Sequence, residues 1–218
     1  MQPPTAAESE RSFSTVFAYA LEGHPCAVVG LDAEPRALPV DAWTRQADAG
    51  DHALLDHCDG PTLDIGCGPG RLTAALAEQG VVALGIDVVH EAVGQTLERG
   101  GSALQRDVFD TLPGEGRWHT ALLADGNVGI GGDPVALLTR VHQLLDPRGR
   151  AVVEVEGPSV PRRTVWATLA CRGSTSRPFR WAVVGVDDID EVAAAAGFEV
   201  RETTHHEGRW FTVLDGAR

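Results

Sequence analysis

The sequence contains no lysine; all 18 of its basic residues are arginine. That absence removes whole classes of chemistry. A Schiff-base lysine, as in pyridoxal-phosphate enzymes and lysine-dependent aldolases, cannot exist here, and neither can the lysine of a Walker phosphate loop. Cysteine is sparse, at Cys26, Cys58, Cys67 and Cys171, and no two of these form a C-x-x-C pair. The spacing argues against a structural zinc site or a thioredoxin-like centre and predicts free thiols in a reducing compartment. No apolar run reaches the roughly 18 residues of a membrane span. The polar, acidic stretch from Met1 to Glu10 lacks a basic segment leading into an apolar one, so no secretory signal is expected. A cytoplasmic protein without a membrane partner is the expectation. Positive charge is also short, with 18 Arg against 31 Asp and Glu and a net charge of −13. Binding to nucleic acid gains affinity by neutralising phosphates, so DNA and RNA are disfavoured as partners, and anionic membrane surfaces with them.

What is present suffices for a packed core. Hydrophobic residues make up 43% of the 218 residues and charged residues 22%, which fits one domain of ordinary size or one domain with an added cap. Residues 1–10 read as a loose tail. Phe13, Val16, Phe17 and Ala20 fall on one face of a helix over 12–21. Residues 32–39 read as a loop. A second helix is expected over 41–57, with Asp41 as N-cap and Trp43, Ala47, Leu54 and Leu55 buried. From Pro61 strands and helices alternate. Strands are expected at 62–65, 81–86, 102–105, 118–124 and 150–155, and helices at 70–79, 90–99 and 133–145. That rhythm predicts right-handed βαβ units and a parallel sheet covered on both faces. Residues 157–185 break it and read as two short strands or irregular segments. A helix at 187–196 and an antiparallel pair, 198–204 with 209–214, close the chain. The resulting division is an N-terminal helical cap over 1–58 and a Rossmann-like α/β domain over 59–218, with a substrate-region insertion at about 157–186.

The loop Leu63-Asp64-Ile65-Gly66-Cys67-Gly68-Pro69-Gly70-Arg71 falls between a strand and a helix. Its glycines allow a sharp turn and let a ligand approach the main chain closely. The helix N-terminus beyond offers free N–H groups. A dinucleotide-binding G-x-G-x-x-G run would need a third glycine where Arg71 stands, so NAD and FAD do not fit. Asp64 points the same way, because a carboxylate suits an ammonium and is awkward beside a pyrophosphate. Asp87, ending the next strand, is placed to accept hydrogen bonds from both hydroxyls of a ribose. Its bland alternative is a helix N-cap.

Over about residues 61–156 the chain resembles class I S-adenosylmethionine-dependent methyltransferases. Leu-Asp-Ile-Gly-Cys-Gly-Pro-Gly matches that family's first motif almost residue for residue. The resemblance implies a seven-stranded sheet, mostly parallel with an antiparallel last strand, and S-adenosylmethionine as cofactor. It implies cofactor contacts at Asp64, Gly66, Cys67, Gly68 and Gly70, at the ribose acid Asp87 with Val88 beside it, and at Asp107 and Val108 near the adenine. It also places Ala124, Asp125 and Asn127 toward the methionine end and the methyl acceptor. As alternatives, Asp107 is a surface-loop acid, and Asp125 and Asn127 cap a turn.

Methyl transfer from a sulfonium needs acceptor, methyl and sulfur held in line, and a phenol or alcohol acceptor also needs a base. Asp125, Glu156 and His24 are the candidates. His205-His206 reads as surface histidine and not as a metal site, because neighbours in a strand point to opposite faces. Arg162, Arg163 and Arg180 with Trp166 and Trp181 are a candidate substrate wall, against the alternative of a solvated rim with two core tryptophans. The short chain suits a small-molecule acceptor and a monomer or homodimer. A protein that binds S-adenosylmethionine without methylating is the competing reading.

Overall fold

A computed structural model describes residues 10–217. The tail expected over 1–10 lies outside these residues except for Glu10, which pairs with Thr175. The main sheet is assembled from β4 (Thr62–Ile65), β5 (Ala83–Asp87), β6 (Ala103–Gln105), β7 (Trp118–Leu123), β8 (Leu145–Val155), β12 (Phe198–His206) and β13 (Arg209–Gly216). Its order is β12-β13-β8-β7-β4-β5-β6. The contiguous strands β8, β7, β4, β5 and β6 run parallel, and β13 is antiparallel to both of its neighbours. This is the expected seven-stranded, Rossmann-like architecture.

Strand alternation sorts the core onto the two faces of this sheet. Ala121 and Leu123 of β7 join Leu63, Ile65, Val153 and the helices α6 (Pro134–Leu144) and α7 (Ile189–Ala195). Leu122 and Ala124 turn to the other face, against α3 (Ala49–Leu55) and α4 (Arg71–Glu78). All four residues of β4 are buried, as a central parallel strand covered on both sides requires. The fifth helix, α5 (His90–Glu98), follows β5. Asp133 caps α6 by accepting from the Ala136 N–H at 3.0 Å, with Pro134 in the first turn.

The second lobe departs from expectation. The N-terminal segment carries α1 (Phe13–Leu21) and α2 (Val40–Thr44), and it also contributes β1 (Glu10–Arg11), β2 (Cys26–Val29) and β3 (Arg36–Ala37). These strands join β9 (Arg163–Cys171), β10 (Ser174–Ser176) and β11 (Phe179–Val183) of the insertion in a separate sheet. Its order is β1-β10-β9-β2-β3, with β11 also on β9. Val16 and Ala20 of α1 pack on Ala167 and Leu169 of β9. The cap and the insertion are therefore one structure, formed by strand pairing across more than a hundred residues.

Two local expectations are corrected. The helix over 41–57 is two helices, α2 and α3. The chain turns extended at Arg45, and Asp48 and Asp51 form a reciprocal capping box that starts α3 afresh. Asp41 sits inside the first turn of α2 and does not cap it. The cysteines are not all free. Cys26 and Cys171 stand directly opposite each other on β2 and β9 and are disulfide-bonded, whereas Cys58 and Cys67 are free. The pair is 145 residues apart in sequence, so only the long-range sheet register brings it together. Among the described residues no helix is long and apolar enough to cross a membrane.

Candidate functional site

The carboxyl ends of β4, β5, β6, β7 and β8 face the second lobe across a cavity of about 800 Å³. This is the edge at which open α/β sheets bind ligands. One half of the cavity lies over β4, β5 and β6. There Gly66, Gly68 and Gly70 all have left-handed backbone, with φ of +73°, +53° and +83°. The cost of that conformation for an L side chain explains the glycines. A Cβ on Gly66 would lie 2.7 Å from Asn127 Nδ2, and one on Gly70 would strike Thr96. A Cβ on Gly68 would meet nothing within 4 Å, so at Gly68 the bare backbone lines open space. Gly70→Ala is expected to lower stability by about 1–2 kcal/mol through backbone strain alone, read as a lower thermal midpoint.

The loop is fastened from both sides. Asp87 accepts from the Gly68 N–H at 3.0 Å through Oδ2 and from the Val89 N–H at 2.8 Å through Oδ1. Asn127 donates from Nδ2 to the carbonyls of Ile65 and Gly66, each at 2.9 Å. Beyond the ligand-contact and capping roles expected of Asp87 and Asn127, both hold the glycine loop in shape. Each Asp87 oxygen keeps a lone pair for a further donor. Burial pushes the Asp87 carboxyl up, and the N–H groups of Val89 and Gly68 oppose that shift.

Asp64 lies under the loop with 2% exposure and accepts from the Thr73 hydroxyl at 2.6 Å. Burial raises its carboxyl to about 6, with Thr73 opposing and the neighbouring charge of Asp125 reinforcing the shift. Such a carboxylate has spare acceptor capacity and gains strongly from a cationic partner. Arg71 lines the same cavity at 4% exposure. It pairs with Asp51 and, at 2.6 Å, with Asp125, and its Nε is buried with no hydrogen-bond partner. An anionic group placed against it would supply one. Val88, Asp107 and Val108 line the cavity beyond Asp87, and Asp107 Oδ1 accepts from the Phe109 N–H at 3.0 Å. Cys67 reaches the cavity, and its side chain packs with Val93 and Ala103.

The other half lies over β7 and β8. Ala124, Asp125 and Asn127 line it after β7, and Glu154 and Glu156 line it at the end of β8. Asp125 is paired with Arg71, and Glu154 is held by Arg209 through two contacts of 2.8 Å. Burial pushes the Asp125 carboxyl up, opposed by Arg71 and reinforced by Glu154. Glu156 has no ion-pair partner among the described residues and is fixed by its backbone, between the Val184 carbonyl and the Val186 N–H, both at 2.9 Å.

Of the remaining sequence candidates, Arg163, Arg180 and Trp181 line the cavity, whereas Arg162 and Trp166 do not. Trp166 is 65% exposed, and Arg162 donates to Glu191 at 3.2 Å. His24 also stands apart, with Nε2 2.9 Å from Arg172 Nη1. His205 stacks against Trp210, and no group of three metal-ligating side chains occurs among the described residues. The buried Asp51–Arg71–Arg209 cluster went unforeseen. The sequence signal available for it was the Arg71 that breaks the dinucleotide pattern.

A family model described as a methyltransferase domain matches residues 47–203. No curated protein matches the chain. Solved structures share the fold at low identity. An S-adenosylmethionine-dependent methyltransferase from Bacteroides fragilis, crystallised with S-adenosylhomocysteine, is 20% identical with a TM-score of 0.78, covering 96% of each chain. The 1,6-didemethyltoxoflavin N1-methyltransferase of Burkholderia thailandensis, with that compound and S-adenosylhomocysteine bound, is 21% identical with a TM-score of 0.62, covering 100% of this chain and 94% of its own. The sugar N-methyltransferase KedS8 from a Streptoalloteichus species is 15% identical with a TM-score of 0.58, covering 100% and 98%.

Proposed function

The chain belongs to the methyltransferase family whose domain it matches, and from that premise we propose that it methylates a nitrogen of a small molecule. It is an S-adenosylmethionine-dependent methyltransferase. Bound in the cavity, S-adenosylmethionine supplies a methyl group activated by its sulfonium. The observation that carries the reading is the glycine loop, tied to Asp87 above a buried, partly unsatisfied Asp64. In this assignment Asp64 meets the ammonium of the cofactor's amino-acid end and Arg71 Nε–H its carboxylate. Asp87 takes the ribose hydroxyls. Val88, Asp107 and Val108 flank the adenine, and the backbone of Gly66, Cys67, Gly68 and Gly70 supplies the close approach.

Glu156 is the acid on the acceptor side that no arginine claims, so it receives the proton shed by the methylated atom. A carboxylate is too weak a base to ionise a phenol before attack, but strong enough to take a proton from a methylated arylamine or ring nitrogen. That contrast favours nitrogen over oxygen. The Burkholderia and Streptoalloteichus enzymes, both N-methyltransferases of small molecules by name, support the choice.

The direct test is incubation with methyl-labelled S-adenosylmethionine and a fractionated cell extract. Label is expected in the low-molecular-weight fraction, with S-adenosylhomocysteine as co-product. Label confined to protein or nucleic acid would contradict the reading. Asp87→Ala is expected to weaken S-adenosylhomocysteine binding by about 1–3 kcal/mol, the loss of hydrogen bonds to a charged acceptor; unchanged calorimetric affinity would remove Asp87 from the site. A pH dependence follows from Asp64. Its carboxyl, raised to about 6, holds a proton below that pH, and an ammonium ligand must displace it. Affinity should therefore be flat well above pH 6 and fall by up to about tenfold per unit below it. Titrations in buffers of different ionisation enthalpy would show proton release in that window.

A further inference from the structure

Aromatic side chains are scarce in this chain, with six Phe, five Trp and one Tyr. Five of them line the cavity together: Phe13, Phe17, Trp43, Phe179 and Trp181. Their rings form an unbroken series. Trp43 stacks on Phe17 at 5.6 Å and Phe17 on Phe13 at 5.4 Å. Phe13 meets Phe179 edge-on at 4.9 Å, and Phe179 meets Trp181 edge-on at 6.4 Å. The rings come from α1, α2 and β11, so only the joining of cap and insertion assembles them. All five are half-buried, although the lobe has a closed core of Val16, Ala20, Ala167 and Leu169 beside them. The Phe rings and Trp181 pack on that core, Phe13 and Phe17 also on Leu21, Val89 and Ala92, and the parts of the rings left open to the cavity carry a hydration cost that a ligand can remove.

The rest of the lining says what that ligand is not. Among the described residues no Ser, Thr, Tyr or His lines the cavity. A sugar or other polyol would bury hydroxyls that need partners, and around the rings these are confined to Arg36, Arg163, Arg180 and the acids at the strand ends. Arg36 and Arg163 already share Asp32, at 3.6 and 3.3 Å. A flat ring needs no such partners; offset and edge contacts with two or so neighbouring rings of the series satisfy it.

We propose that the methyl acceptor is a planar aromatic or heteroaromatic amine, held on the Trp43–Phe17–Phe13–Phe179–Trp181 surface with its nitrogen toward Glu156. This rests on the methyltransferase reading above and narrows it. The nitrogen lone pair forms the new C–N bond as the C–S bond pair returns to sulfur, and the proton the nitrogen sheds passes to Glu156. The net products are the N-methylated amine, S-adenosylhomocysteine and a proton.

The test uses the full chain saturated with S-adenosylhomocysteine and titrated calorimetrically with three probe amines: 1-naphthylamine, its fully saturated decahydro counterpart, and glucosamine. The planar probe should bind at least ~10-fold more tightly than either other amine, the value of two or so ring–ring contacts. Trp181→Leu, at a residue bridged to Ile130 past β7, should cut that preference at least ~3-fold while leaving S-adenosylhomocysteine affinity within about twofold. The wild-type comparison stands by itself if the variant fails to fold. Equal or tighter binding of the saturated amine, which is cationic at neutral pH, would overturn the planar-acceptor assignment in favour of an ammonium held by ring faces. Tighter binding of glucosamine would overturn it in favour of a polyol. Failure of S-adenosylhomocysteine itself to bind would instead sink the methyltransferase reading on which the proposal rests.

Discussion

Asp51→Ala is expected to lower the unfolding free energy by about 3–5 kcal/mol, the range for breaking a buried ion pair from one side. Asp51 has no exposed surface. Its Oδ1 takes Arg71 and, at 2.8 Å, Arg209, and its Oδ2 takes Arg45 at 2.5 Å and the Asp48 N–H at 3.1 Å. Removing it strands guanidinium charge beside Arg71, which is itself 4% exposed, and undoes half of the capping box that starts α3. Burial by itself would raise the Asp51 carboxyl; the hydrogen bonds from Arg71, Arg209 and the Asp48 N–H outweigh it and hold the group well below the ordinary carboxylate range. A carboxyl depressed in the folded state stabilises the fold above its unfolded value, near 4, and loses that contribution as the pH drops toward its folded value. Urea midpoints of the wild type should therefore fall steeply with acid below about pH 4, and Asp51→Ala should flatten that fall. A destabilisation under about 1 kcal/mol would show that the cluster is structural decoration with the energetics of a surface pair. The cluster bears on function because Arg71 joins it to Asp125, at the boundary between the two halves of the cavity.

The second large effect is expected at Glu156. Glu156→Gln keeps the shape and removes the proton acceptor, so kcat should drop by about 100-fold or more, the usual scale of general-base loss. S-adenosylhomocysteine affinity should not move, because Glu156 lies over β8 and the glycine loop over β4. Asp125→Asn, by contrast, breaks a pair with the buried Arg71 and should disturb cofactor affinity and stability along with rate. A Glu156→Gln enzyme with unchanged kcat would show that solvent takes the proton unaided.

How much of this was readable in advance follows from the range of the forces involved. The glycine loop, Asp64, Asp87 and the strand–helix alternation are encoded by neighbours within a few residues, and the main sheet matched them element by element. The breaks came where distant pieces meet. β2 and β3 are too short to show a period, and they exist because β9 pairs with β2. The Cys26–Cys171 bond depends on that same register. The split between α2 and α3 is locally encoded, since Asp48-x-x-Asp51 is a capping signature. His24, in its Gly-His-Pro turn, faces Arg172 and Tyr19, a pairing set by contact with the distant β9–β10 turn. The aromatic wall could not be read from spacing, because its rings come from three elements spread over residues 13–181.

One titration reaches the centre of the account: S-adenosylhomocysteine into the wild-type chain, followed calorimetrically at pH 7.5 and again near pH 5. Saturable binding of one molecule per chain, weaker and proton-releasing at the lower pH, is the expected result. No heat at saturating ligand would mean that the acid-fenced glycine loop does not clasp this nucleoside; saturable binding indifferent to pH would remove Asp64 from the ammonium site.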